Sequence, residues 1–388
     1  MVKNTTEEIL ELAKELIRIP SVTNCPEERL DEVWRAARCI ADFLQESGVK
    51  VRLFDQAKYP ALFAWFDGQQ KAPVMLSGHF DVVEPFPDDS QFDPVVRGDF
   101  LWGRGSTDMK TVVATYLVWF REMAKRSTPY PPINMLLVGN EEPGEFEPTG
   151  TPHVLDQLKK EIGYEPELMV VGERTGENGD ELAGKICVEN RGIARMCFTA
   201  RGQRGHTGTG EGKECLVDRL IRAHRVITEM MQDHLTLESD DDWVTGVRFP
   251  FVNVGTHDVY NITADQGHLG LEIRAIPQDN LERVMLEIKR ISDQMDLELI
   301  FKTREGGVAC DSNSVYLAKL KQAVADVFGN EPVIGRKMAG TSGRFAPGGR
   351  AIIWGQSGIG PHSSKERHYI PSIKGYYDSL TRFADLLR

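Results

Sequence analysis

The stretch VMLSGHFDVVEPFP, residues 74–87, opens as an apolar run (Val74, Met75, Leu76), breaks it on Gly78 and at once sets His79 and Asp81 two positions apart. A short apolar run that stops on glycine reads as a buried strand of an α/β sheet. Three later segments repeat the arrangement. INMLLVG (133–139) gives way to Glu141 and Glu142, ELMVVGE (167–173) ends on Glu173, and AIIWG (351–355) leads through a glycine-rich turn to His362. In open α/β sheets ligands bind at the carboxyl ends of the strands, so these polar residues can converge although the chain separates them.

Working outward, Ile9, Leu12, Ala13, Leu16 and Ile17 fall on one helical face, with Thr5 and Glu8 in the pattern of a capping box and Pro20 just past the end. Residues 27–47 repeat the period, and helices are expected over 108–125, 153–162, 312–328 and from Pro371 onward. Strands alternating with helices predict a mostly parallel sheet with helices on both faces. After Gly184 the texture changes: KICVENRGIARMCFTARG alternates, a helix follows at ECLVDRLIRAHRVITEMMQ, two more strand-like runs come next, and a helix lies near 279–295. This reads as an inserted α+β unit, which divides the chain at 1–184, 185–302 and 303–388.

The 388 residues carry a net charge of −12, and basic residues are dispersed among more acids, which argues against a nucleic-acid partner. No stretch approaches the roughly 18 apolar residues needed to span a bilayer, and the first residues have no apolar core, so a cytoplasmic protein without a membrane partner is expected. Six cysteines (Cys25, Cys39, Cys187, Cys197, Cys215, Cys310) form no CxxC pair and read as reduced thiols.

To the strand-end residues is added Asp108, in GRGSTDMK between a glycine-rich turn and a long helix. Asp108 alone reads first as a helix N-cap. Several acids and two histidines in one crevice would repel one another unless cations filled it, and imidazole with carboxylate oxygen suits Zn²⁺, with Mn²⁺ and Co²⁺ as alternatives. His79, Asp108, Glu142, Glu173 and His362 suffice for two divalent metal ions if Asp108 bridges them.

GHFDVVE, GRGSTDMKTVVA, GNEEPGE, VVGERTG and GPHSSKERHYIP, in this order, resemble the M20 family of dinuclear metallopeptidases and deacylases. That family includes acetylornithine deacetylase, succinyl-diaminopimelate desuccinylase, aminoacylase and glutamate carboxypeptidase. The resemblance implies that His79 and Glu173 hold one metal, Glu142 and His362 the other, and Asp108 both. Asp81 would accept the ring N–H of His79 that faces away from the metal, and Glu141 would be the general base. The inserted unit would be a lid and homodimerisation domain. Its His206, in RGQRGHTGTG, would act as an oxyanion donor reaching the partner's site, and Arg274, in LEIRAIP, would clamp a substrate carboxylate. Asn261, Arg191, Thr341 and Arg344 are further substrate candidates.

Three departures from the family pattern fall on the substrate side. GTSGRF (340–345) is one residue short and lacks an acid, Glu272 stands where aspartate is usual, and Asn261 lacks a following proline. The expected activity is deacylation of an N-acyl amino acid, with carboxypeptidase or dipeptidase action on short peptides as the alternative and a non-catalytic ligand-binding or scaffold protein as the remote one.

Overall fold

The computed structural model describes residues 4–388 except 25, 87–89, 127, 146–148 and 210–214, so Cys25 lies outside the described residues. The chain forms two compact units, one from residues 1–189, 309–337 and 341–388, the other from 190–308 and 338–340. These limits differ from those expected at 184 and 302 because of pairing. Strand Ile186–Asn190 joins the large sheet through Cys187 and Ile353, and strand Leu297–Glu305, not foreseen in the sequence, pairs with Ile193–Arg201.

The first unit is built on a nine-stranded sheet. Its centre is parallel: Ile133–Val138, Val74–His79, Leu168–Val171 and Ala351–Ile353 lie side by side and run the same way. Toward one edge Ala61–Trp65 and Lys50–Phe54 pair antiparallel, and Ile186–Asn190 is antiparallel on the other side, so the sheet is mixed. Every residue of Val74–His79, Ile133–Val138 and Leu168–Val171 is buried, as strands covered on both faces require.

Helix Thr111–Ala124 (TVVATYLVWFREMA) is apolar almost all round and buried from Thr111 to Phe120. The Tyr116 hydroxyl lies 2.9 Å from that of Tyr376, which donates to the Trp354 carbonyl at 3.0 Å. The first helix, Thr5–Ile17, buries the expected face, but its cap is Asn4, whose Oδ1 accepts from the Thr6 N–H at 3.2 Å. Thr5 is already helical, and Glu8 reaches Arg121 instead of closing a capping box.

A small antiparallel sheet escaped the sequence reading. Val95–Arg97, Phe100–Trp102, Arg367–Tyr369 and Gly358–Ile359 make it, with His368 opposite both Leu101 and Gly358. It lays the final motif beside GRGSTD. His368 is 1% exposed, and neither ring nitrogen has a partner among the described residues.

Burial pushes the His368 imidazole down to about 3. Its folded value lies below the unfolded one, so the unfolded chain takes up the proton first. Stability is unaffected above the unfolded value of about 6.5 and falls as the pH drops from there toward 3, by up to about 1.4 kcal/mol per pH unit. Urea unfolding of metal-stripped His368→Leu should therefore show a pH slope shallower by one proton than the parent between about pH 6 and pH 4. Equal slopes would mean that His368 is not held neutral.

The second unit is an antiparallel sheet in which Gln266–Arg274 and Ile193–Arg201 are central, Leu297–Glu305 flanks one side, and Gly246–Arg248 and Val252–Val254 flank the other. Ala194, Met196, Phe198 and Ala200 alternate onto one face with Leu269, Leu271 and Ile273. Against this face pack Leu220, Ala223 and Ile227 of helix Leu216–His234, and Val284, Ile288 and Ile291 of helix Leu281–Gln294. No described helix is long and apolar enough to cross a membrane.

Candidate metal centre

His79 is the last residue of its strand and is 1% exposed. Its Nε2 lies 3.1 Å from Asp108 Oδ1 and 3.2 Å from Glu173 Oε1. Behind the ring, Nδ1 is 3.1 Å from the Asp81 carbonyl and 3.3 Å from Asp81 Oδ1. The carbonyl of Asp81 is thus the nearer partner of the ring and its carboxylate stands just behind, and that carboxylate has another task. It accepts the backbone N–H groups of Glu141 and Glu142, each at 3.1 Å, and the Thr23 hydroxyl at 2.8 Å. One buried acid thus ties the first strand end to the loop after the second. At Gly78 an added Cβ would come within 2.6 Å of Met109 Cε, so a larger residue would displace the methionine tip.

The expected helix over 108–125 begins only at Thr111; Ser106–Lys110 form an irregular turn, closed by the Lys110 N–H on the Gly105 carbonyl at 2.8 Å, in which Asp108 and Met109 leave the helical range. This turn aims the Asp108 carboxylate between the histidines, with Oδ1 toward His79 and Oδ2 3.3 Å from His362 Nε2. Glu142 meets the same His362 nitrogen at 3.0 Å. His362 has φ +61°, a conformation uncommon outside glycine and frequent at functional sites. Donor atoms of His79, Asp108 and Glu142, and likewise of His79, Glu141 and Glu173, lie within 4.8 Å of one another.

The charges perturb one another strongly. Burial opposes a charged His79, but the hydrogen bonds its ring donates to Asp108, Asp81 and Glu173 outweigh it and hold the imidazole well above its usual value. Asp108 and Glu142 raise His362 to about 11. Burial opposes ionisation of Asp108, yet the two histidines hold it well below the usual carboxylate range. Burial, with Asp108 nearby, pushes Glu142 up to about 7, and burial lifts Glu141 well above normal.

Glu141 pairs with Arg344, whose Nη1 is 3.5 Å away. Arg344 donates to the carbonyls of Thr341, at 2.8 Å, and Gly144, at 3.1 Å. Thr341 is buried and accepts the Gly343 N–H through Oγ1 at 3.1 Å. Both substrate candidates of the first unit are thus engaged with the protein. GTSGRF is tied to the loop after the second strand, where Glu145 accepts from the Ser342 hydroxyl and the Thr151 N–H.

His206, Asn261, Arg191 and Arg274 belong to the second unit. His206 is exposed, pairs with Ile262 in an isolated bridge, and accepts the Gly208 N–H at 3.0 Å. The Thr207 N–H donates to the Asn261 carbonyl at 3.2 Å, which brings those two segments together. Arg274 is paired with Glu272 at 2.9 Å, and Arg191 lies over the Trp243 ring. Sequence reasoning missed Thr23, Glu145 and Glu366. Glu145 and Glu366 each had a signal, one as the last residue of GNEEPGE and the other as an acid four residues after His362 in the final motif, and Thr23 had none.

The description "Peptidase family M20/M25/M40" belongs to a family model that matches residues 75–386. A Sphingopyxis alaskensis protein named succinyl-diaminopimelate desuccinylase is 27% identical over 295 residues, 74% of this chain and 73% of its own length. Among solved structures, the fold is shared with an M20 family metallo-carboxypeptidase of Sulfolobus solfataricus (TM-score 0.74, 15% identity, 98% of this chain and 99% of that one). It is also shared with a dinuclear metal-binding M20 peptidase of Bacillus subtilis (TM-score 0.64, 13% identity, 98% and 97% covered). With a family model matched along most of its length, the chain belongs to peptidase family M20/M25/M40 and is a hydrolase.

Proposed function

We propose that the chain is a two-metal amidohydrolase that cleaves an amide next to a carboxylate, of the N-acyl-amino-acid deacylase kind. The observation that carries this reading is Asp108, whose two oxygens face one histidine each. Beside it Glu141 pairs with Arg344 and with neither histidine.

The residues suit divalent cations. Two imidazole nitrogens are ringed at 3.0–3.3 Å by Asp108, Glu142 and Glu173, and the far nitrogen of His79 is engaged by Asp81. Nitrogen and carboxylate oxygen without thiolate favour Zn²⁺, with Mn²⁺ and Co²⁺ as alternatives. His79 and Glu173 would hold one ion, Glu142 and His362 the other, and Asp108 both.

Ions held there supply Lewis-acid polarisation of the amide carbonyl and acidification of a water. The rest falls to the chain. The Glu141 carboxylate takes a proton from the attacking water as its oxygen bonds to the carbonyl carbon, then gives that proton to the departing amide nitrogen as the C–N bond breaks. Arg344 and the Asp81-held backbone fix the position of Glu141, so little reorganisation accompanies the transfer.

In the second unit, Arg274 is the proposed carboxylate clamp, with Arg191 and Asn261 as further substrate contacts and His206 as an oxyanion donor to a partner subunit. Val217, Ile221 and Val226 are exposed on helix Leu216–His234, and Phe251 and Val252 at the sheet edge, which supports a homodimer through this unit. The free cysteines Cys39, Cys187, Cys197, Cys215 and Cys310 suit a reducing, cytoplasmic setting.

Metal-stripped protein reloaded separately with Zn²⁺, Mn²⁺ and Co²⁺ should hydrolyse N-acetyl or N-succinyl amino acids with kcat/KM at least about tenfold above that for dipeptides, about 1.4 kcal/mol in the barrier. The reverse order would assign it as a carboxypeptidase or dipeptidase.

A further inference from the structure

The side chain of Glu366 touches neither histidine, yet it makes four hydrogen bonds from a position 1% exposed. Its Oε1 accepts the backbone N–H groups of Gly105, Thr107 and Asp108 at 2.9, 3.1 and 3.2 Å. Its Oε2 accepts from Arg104 Nη1 at 2.6 Å. The turn from Gly103 to Asp108 thus curls its N–H groups around one carboxylate oxygen, the geometry by which backbone nests hold anions. Gly105 permits the curl with φ +85°, and a Cβ there would come within 2.8 Å of Val82. Without an acceptor, three N–H groups would be left buried and unpaired.

Glu366 is itself held firmly. Its own carbonyl accepts the Gly103 N–H at 3.3 Å, and the next residues, Arg367–Tyr369, pair with Phe100–Trp102. Through this one side chain, the segment carrying His362 grips the backbone of the segment carrying Asp108.

We propose that Glu366 is the positioning residue for Asp108, placing its carboxylate between His79 and His362 by holding the backbone of its turn. This rests on the reading of Asp108 as the ligand shared by two ions. A purely structural role would confine Glu366 to its ion pair with Arg104.

The two roles separate in an Arg104→Met background, where no ion pair exists. There Glu366→Gln keeps an oxygen for the three N–H groups, whereas Glu366→Leu removes it. Both double variants and the wild type are stripped with chelator, checked for a cooperative melt, and titrated with Zn²⁺ by chelator competition below the melting range. The leucine variant should bind Zn²⁺ about 10- to 100-fold more weakly than the glutamine variant, the usual range for partners that orient a metal ligand. Failure of only the leucine variant to give a folded chain would make the grip a structural one and overturn the positioning role. Equal affinity in the two double variants overturns the proposal. A wild type that binds no Zn²⁺ overturns the reading of the site itself.

Discussion

Glu141→Gln should lower kcat by about 10²- to 10⁴-fold, the usual worth of a positioned general base, while metal content and melting temperature stay near wild type. The amide is nearly isosteric, and the loop does not depend on this side chain: its N–H groups are held by Asp81 at 3.1 Å. Loss of the carboxylate removes the proposed acceptor of the attacking water's proton and leaves the proposed ion-binding residues in place. Glu142→Gln should behave differently, because its side chain meets His362 Nε2 at 3.0 Å and belongs to the proposed ligand set. It should weaken one metal equivalent, and part of its activity should return with excess Zn²⁺. Steady-state kinetics beside elemental analysis decide the matter. Equal metal loss in the two variants would remove the division of roles between these neighbours.

The largest loss of metal is expected from His79→Ala. That ring touches Asp108 and Glu173 with one nitrogen and Asp81 with the other, so its removal deletes a ligand and takes the support from two more. Affinity for Zn²⁺ should fall by at least about 10²-fold, beyond the effect of losing an orienting partner alone, and bound metal should drop from two equivalents to one or none. His362→Ala should cost one equivalent, because its imidazole is about half exposed and faces only Asp108 and Glu142. Removal of both histidines without change in metal content would refute the site.

Much of this site was legible in the sequence because three buried strands are written as apolar runs and end on polar residues. Once the strands are parallel neighbours, His79, Glu141, Glu142 and Glu173 must share an edge. The parts that were not legible rest on short elements or on the backbone. Strands of two or three residues, such as Gly358–Ile359 and Arg367–Tyr369, are too short for alternation to show. Leu297–Glu305 alternates buried with exposed residues and directly follows a helix, which hid its start. Spacing from His79 and His362 marks Asp81 and Glu366 as acids near the site, but what they hold is largely backbone N–H groups, which every residue but proline carries and no motif shows. The acid missing from GTSGRF showed as a gap in one loop, whereas the contact of that loop with Glu145 joins residues 197 positions apart and leaves no local pattern.

The place of Ala351–Ile353 in the large sheet has a consequence for biosynthesis. In strand order it lies between Leu168–Val171 and Ile186–Asn190, although the chain reaches it only after the whole of the second unit has been made. Until then a nascent chain holds Leu168–Val171 with one long side unpaired, an apolar edge of the kind that invites aggregation. The second unit is nearly continuous in the chain and can close on itself as it emerges, whereas the first must wait for its last eighty residues. His362 arrives after that strand, so the ring of ligands is the last part of the molecule to be completed.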